Sequence, residues 1–151
     1  MKVWLLTHSE ELKKTTGTGR LVKSALGYEC EIIEWSRVLP NKAVTSLSPK
    51  NTLLIYPCDT EEQSFSVDEI PAKNIIIIDG TWQQARKIYN KSLYLKKFQH
   101  REIKDIKSTY SKRRNQKSTG LCTAEVAIHI LTEYKHPAAP SLMNAFLEFN
   151  Q

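Results

Sequence analysis

Apolar positions follow two rhythms along this chain, and together they predict strands interleaved with helices. Val3-Trp4-Leu5-Leu6, Cys30 to Trp35, Thr52 to Tyr56 and Asn74 to Ile78 are short apolar runs bounded by polar or turn-forming residues. Such runs predict strands, and the unbroken Ile75-Ile76-Ile77-Ile78 suits a strand covered on both faces. A fifth strand is expected over Arg101 to Ile106, through Ile103 and Ile106. Leu21, Val22, Ala25 and Leu26 instead repeat with a helical period, with Thr18 as the cap and Gly27 as the stop. Thr81 and Gln84 have the spacing of a capping box, which predicts a helix from Thr81 to Asn90. Val126, Ala127, Ile130, Leu131 and Tyr134 form one apolar helix face over Thr123 to Tyr134, ended by Pro137. Pro140 opens a last helix carrying Leu142, Ala145, Phe146 and Phe149. Pro40 to Asn51 reads as polar and irregular, Phe65 to Lys73 as a loop or short helix, and Lys107 to Gly120 as a basic loop. Strands alternating with helices predict an α/β fold, a mostly parallel sheet flanked by helices, in a single domain over residues 1–151.

The Ile run stops abruptly at Asp79-Gly80-Thr81-Trp82. Asp79 therefore stands at the carboxyl end of a central strand, where open α/β sheets bind ligands. On this pattern alone Asp79 is either a turn former bonding nearby backbone N–H groups or a working carboxylate. Trp82 is either a source of buried area or a ligand platform.

Composition narrows the classes. A hydrophobic content of 40% and a charged content of 25% are ordinary for a soluble globular protein. Met1-Lys2 leads straight into the first strand, so no signal peptide is expected, and no apolar stretch approaches the ~20 residues of a membrane helix. Cys30, Cys58 and Cys122 are far apart and form no C-x-x-C pair, so no metal site is expected and a reduced, cytoplasmic setting fits. Cys122 reads as a small apolar filler rather than a nucleophile. No Gly-x-Gly-x-x-Gly and no P-loop is present, which disfavours a dinucleotide or ATP site. The net charge is +6, and it is unevenly spread: Arg86 to Lys117 holds twelve Lys or Arg against Glu102 and Asp105. That asymmetry favours a phosphate-backbone partner over a merely solvated surface.

Asp79-Gly80-Thr81-Trp82 also resembles the signature of the DTW-domain family, the tRNA-uridine aminocarboxypropyltransferases. His8-Ser9-Glu10 with Thr18-Gly19-Arg20-Leu21, then Leu53-Leu54-Ile55-Tyr56-Pro57, then Ser118-Thr119-Gly120-Leu121-Cys122-Thr123-Ala124-Glu125 are similar to other blocks of that family, in the same order. The resemblance covers residues 1 to 135. Three departures stand out: Gly17 replaces a frequent Asn, the N-terminal cysteine cluster of many members is missing, and Cys58-Asp59-Thr60 follows Pro57 where other members often have a small residue, an acid and Ala.

The resemblance implies a SPOUT-like fold with a C-terminal trefoil knot. It implies transfer of the 3-amino-3-carboxypropyl group of S-adenosylmethionine to N3 of a tRNA uridine, with release of methylthioadenosine. The cofactor pocket would draw on Leu54, Ile55, Tyr56 and Pro57, on Asp79, Gly80 and Thr81, and on Leu121, Cys122 and Thr123. Ile55 and Leu121 would wall the adenine, and N–H groups at the start of the Thr123 helix would suit the methionine carboxylate. Asp79 is expected either to act as general base toward the uracil N3–H, with burial raising its pKa, or to bind the amino group of the transferred chain. N3 lies on the Watson–Crick edge, so the target must be unpaired or flipped, with Trp82 stacked on it. Arg20, Arg86, Lys112, Arg113, Arg114 and Lys117 would hold RNA phosphates, and His8 would shape the entrance. A SPOUT-like RNA methyltransferase and a non-catalytic RNA-binding module are the alternatives.

Overall fold

Five short strands pair in the order β2-β1-β4-β3-β5: β1 (Lys2–Thr7), β2 (Cys30–Glu34), β3 (Thr52–Ile55), β4 (Asn74–Asp79) and β5 (Gln99–Arg101). Every pairing is parallel. This is a computed structural model, and it describes residues 1–57, 72–104, 106–112 and 120–151. Most of the expected loop or short helix over Phe65 to Lys73 lies outside the described residues.

Four strands lie where the apolar runs put them. The fifth starts at Gln99 and ends at Arg101, so the strand expected over Arg101 to Ile106 is displaced toward the amino end. The reason is its partner. β3 offers only Leu53, Leu54 and Ile55 for pairing, and these are matched by Gln99, His100 and Arg101. Ile103 then packs against the core from outside any strand, while Ile106 is 42% exposed.

The described residues also form six α-helices: α1 (Ser9–Leu12), α2 (Gly19–Leu26), α3 (Lys42–Thr45), α4 (Trp82–Asn90), α5 (Thr123–Glu133) and α6 (Ala139–Phe149). The single turns α1 and α3 were not legible from apolar period, because four residues cannot display one. α3 interrupts the stretch expected to be irregular. Asn41 caps it by accepting from the Val44 N–H, and Val44 is fully buried.

Alternate strand residues serve opposite faces. Val3, Leu5, Leu53, Ile75 and Ile77 pack with residues of α2, α5 and α6. Trp4, Leu6, Leu54 and Ile76 pack with Val44, Ile88, Leu95 and Phe98 on the other side. Both faces are covered, which is why the β4 run is continuously apolar rather than alternating.

This layering creates the functional crevice. β1 and β4 are neighbours in register, with Thr7 beside Asp79. The chain leaving β1 reaches α2 on one face, whereas the chain leaving β4 enters α4 on the other. The two carboxyl ends therefore part company, as at the ligand-binding switch points of other open α/β sheets. No described helix is long and apolar enough to cross a membrane.

The two isoleucines give opposite expectations. Ile76→Ala removes a fully buried side chain of the central strand and should cost about 2–5 kcal/mol. Ile106→Ala lies outside the core and should stay within about 0.5 kcal/mol of the parent protein. Urea denaturation of the two variants checks both values.

Candidate active site

A cleft of about 920 Å³ opens at the carboxyl end of the sheet, large enough for a ligand of nucleoside-cofactor size. Three sequence-distant segments line it: Ile55–Tyr56–Pro57 after β3, Ile77 through Gln83 around the end of β4, and Gly120 through Thr123 before α5. The loop from Lys13 to Thr16 and Tyr110 close a further side. Nine of the ten expected cofactor residues, Ile55, Tyr56, Pro57, Asp79, Gly80, Thr81, Leu121, Cys122 and Thr123, come together here. The exception is Leu54, which is fully buried among Trp4, Leu6, Ile76 and Ile88 on the α4 side. Its neighbour Ile55 takes the cleft because successive strand residues point to opposite faces.

Asp79 is 7% exposed at the cleft floor. It shares the strand face of Ile75 and Ile77, so its carboxylate lies under the amino ends of α2 and α5. The Thr123 hydroxyl donates to Asp79 Oδ1 at 2.6 Å. Asp79 Oδ2 comes so close to Gly19 that a Cβ there would sit 2.6 Å away, so only glycine fits. The peptide dipoles of two helices direct their positive ends at this region. Gly80 is pressed between Gln84 and His8, and a Cβ would meet Gln84 at 3.0 Å and 3.1 Å.

The helix caps are partly exchanged. Thr81 and Gln84 form the expected capping box on α4, with the Thr81 N–H donating to Gln84 at 2.8 Å and the Gln84 N–H to Thr81 at 3.2 Å. Thr18, expected to cap α2 with its side chain, makes no such bond. Its hydroxyl instead accepts from the Ala124 N–H of α5 at 3.0 Å. The Cys122 N–H donates to Glu125 at 3.0 Å. Two of the N–H groups around the start of α5 are thus already satisfied within the protein, which narrows the carboxylate cradle expected there.

Glu125 is a residue that sequence reasoning left without a role. Besides the Cys122 N–H it accepts from the Ser108 hydroxyl and from the Thr109 N–H at 2.8 Å. Burial pushes its carboxyl up, but these donors outweigh burial and hold it below the usual carboxylate value. The only prior signal was its position three residues after Cys122, since Cys is not a usual capping residue. Burial pushes the Cys122 thiol up to about 12 and the Cys30 thiol up to about 11, so both stay protonated at neutral pH. That agrees with the filler reading of Cys122; Cys58 lies outside the described residues.

Trp82 opens α4 and is 49% exposed at the cleft mouth. Its ring stacks on Tyr56 at 5.8 Å, and Tyr56 stacks on Tyr89 at 4.0 Å. Tyr89 meets His100 edge-on and bonds its Nε2 at 2.8 Å. The Phe98 carbonyl can only accept, so His100 Nδ1 carries the proton toward it, and in the neutral ring Nε2 accepts from Tyr89. Trp82 is therefore a half-open platform with an aromatic backing. His8 does not line the cleft; its ring packs toward Trp35 at 6.5 Å, and its N–H donates to the Asp79 carbonyl.

Of the expected phosphate-binding residues, Arg20, Arg86 and Lys112 are exposed. Arg113, Arg114 and Lys117 lie outside the described residues. Lys13 and Lys14 line the cleft and were not anticipated. Among the described residues no group of three or more His, Cys, Asp or Glu is arranged to hold a metal.

Gly19→Ala should lower the melting temperature markedly, because the new methyl cannot coexist with Asp79 Oδ2. Glu125→Gln should also destabilise at neutral pH, with a defined pH signature. A lowered folded-state pKa contributes stability that is complete above the ordinary value of 4.5 and fades as pH falls through the lower folded value. The stability gap between parent and Glu125→Gln should therefore close below that pH, and thermal melts across the acid range measure it.

A family model described as DTW domain matches residues 1–151, the whole chain. No solved structure matches the chain.

Proposed function

The chain belongs to the DTW-domain family, the tRNA aminocarboxypropyltransferase family, and from that premise we propose that it uses S-adenosylmethionine to place a 3-amino-3-carboxypropyl group on N3 of a tRNA uridine. The observation that carries this reading is the convergence of the three family-like segments on one cleft beside an anionic floor.

The residues fit such a cofactor. The cleft has the volume, Ile55 and Leu121 offer apolar walls, and no phosphate-binding loop competes for the space. Such a cofactor would supply a sulfonium that makes the adjacent methionine γ-carbon electrophilic; the N3–carbon bond would form as the carbon–sulfur bond breaks, methylthioadenosine would leave, and the N3 proton would pass to Asp79 or to solvent.

Asp79 supplies negative charge at the floor. That charge suits two roles, holding the cofactor ammonium or taking the proton of uridine N3, and the reading keeps both. Trp82 offers its exposed face to an unpaired uracil, and Tyr56 behind it fixes the ring. The SPOUT-like fold and C-terminal trefoil knot belong to the same reading; the parallel sheet flanked by helices is in keeping with its α/β part.

Two expected outcomes follow from this chemistry. S-adenosylmethionine should raise the melting temperature of the parent protein by mass action. Asp79→Asn should abolish that shift if the carboxylate holds the ammonium. If it is instead the base, the shift should persist while transfer falls by ~10²–10⁴-fold. Mass spectrometry of the reaction checks the class. Methylthioadenosine with an aminocarboxypropyl mass gain on tRNA nucleosides is expected, whereas S-adenosylhomocysteine would identify a methyltransferase.

A further inference from the structure

Two cationic flanks border the cleft, and the structure distinguishes them. On α4, Arg86 and Lys87 are exposed but neither lines the cleft. On the opposite flank, Lys13 and Lys14 line it directly. Lys14 is engaged by Glu11 at 3.1 Å. Lys13 has no carboxylate partner among the described residues.

Two further cations, Arg20 and Lys112, do not line the cleft themselves but gather on one ring beside its Thr15–Thr16 wall. The Arg20 guanidinium lies 5.3 Å from the Phe149 centroid and the Lys112 ammonium 4.9 Å from it. The two charges are thus no more than about 10 Å apart, within one Debye length at 0.1 M salt. No described carboxylate pairs with either. Like charges held this close repel, and the ring face repays only part of that cost. A bound anion would repay the rest.

The support is built from several elements. The Tyr110 ring lies against Phe149 at 6.2 Å, and its hydroxyl donates to the Thr16 carbonyl in the cleft wall. Arg20 also donates to the Thr15 carbonyl. The Ser111 N–H donates to Asn150 Oδ1 at 2.9 Å, and the Asn150 amide donates to the Thr109 carbonyl at 2.8 Å. The backbone carrying Lys112 is therefore pinned to the end of α6, and a pre-ordered cation loses less entropy on binding.

We propose that the RNA backbone docks on this α2–α6 rim, with Lys13, Arg20 and Lys112 as phosphate contacts and Phe149 as the pedestal under the last two. The proposal rests on the RNA-modifying reading above and adds where the RNA runs. The sequence concentrates positive charge between Arg86 and Lys117, yet the rim draws its residues from three separated segments, only one of them in that stretch.

The test is binding of unfractionated tRNA to the full chain, titrated between about 50 and 200 mM salt. Replacing Lys13, Arg20 and Lys112 together by Gln should lower the salt slope by roughly 2–3 units, at 0.7–0.9 per lost contact. Arg20→Lys alone should keep the slope. R86Q with K87Q should leave the slope unchanged. Phe149→Leu keeps every charge, so it should weaken binding by ~2–5-fold with little change in slope. Melting curves with S-adenosylmethionine report that each variant is folded and still takes the cofactor.

An unchanged slope in the triple variant, or a slope lost in the α4 variant instead, overturns the rim while leaving the RNA-modifying reading intact. Parent protein that takes the cofactor but shows no salt-dependent binding of tRNA overturns both.

Discussion

The Thr123 hydroxyl on the Asp79 carboxylate is the contact on which the cleft depends. It ties the end of β4 to the start of α5 at 2.6 Å across 44 residues of sequence. A buried carboxylate is costly unless donors compensate it. Here Thr123 and the amino ends of α2 and α5 do so, and in return the carboxylate fixes where those helices begin. Gly19 permits the approach on one side, since a Cβ there would stand 2.6 Å from Asp79 Oδ2.

The remaining architecture of the site elaborates that joint. Thr18 reaches across to cap α5 rather than its own helix, so α2 and α5 are locked as a pair. Glu125, one turn into α5, gathers Ser108, Thr109 and Cys122, and Asn150 holds the same loop from α6. The strap that walls the cleft is therefore fastened at two points, to α5, which is joined to β4 through Thr123, and to the end of α6. Charged acceptors in partly buried positions make stronger hydrogen bonds than neutral ones, which suits them to positioning.

Opposite this joint, the aromatic series Trp82, Tyr56, Tyr89 and His100 runs from the cleft mouth to the outer strand. It grows more buried along its length: Trp82 is half exposed and His100 is 7% exposed. A platform backed in this way loses little side-chain freedom when something stacks on it. The cleft thus combines the Asp79 floor with an aromatic lip, and Lys13 and Lys14 stand on a further wall.

The sequence by itself determined the layered α/β plan, four of the five strands, the capping box at Thr81 and Gln84, and the place of Asp79 at the end of a central strand. These rest on local rhythm: residues two, three or four apart report their own backbone. Only the tertiary structure decided which face Asp79 serves, that Leu54 belongs to the opposite layer, that β5 stops where β3 stops, and that Thr18 caps a helix 106 residues away. It also decided that Arg20 and Lys112 share the Phe149 ring. Such pairings leave no local period. They arise when sheet order brings distant chain ends together and each buried polar group must find its partner there.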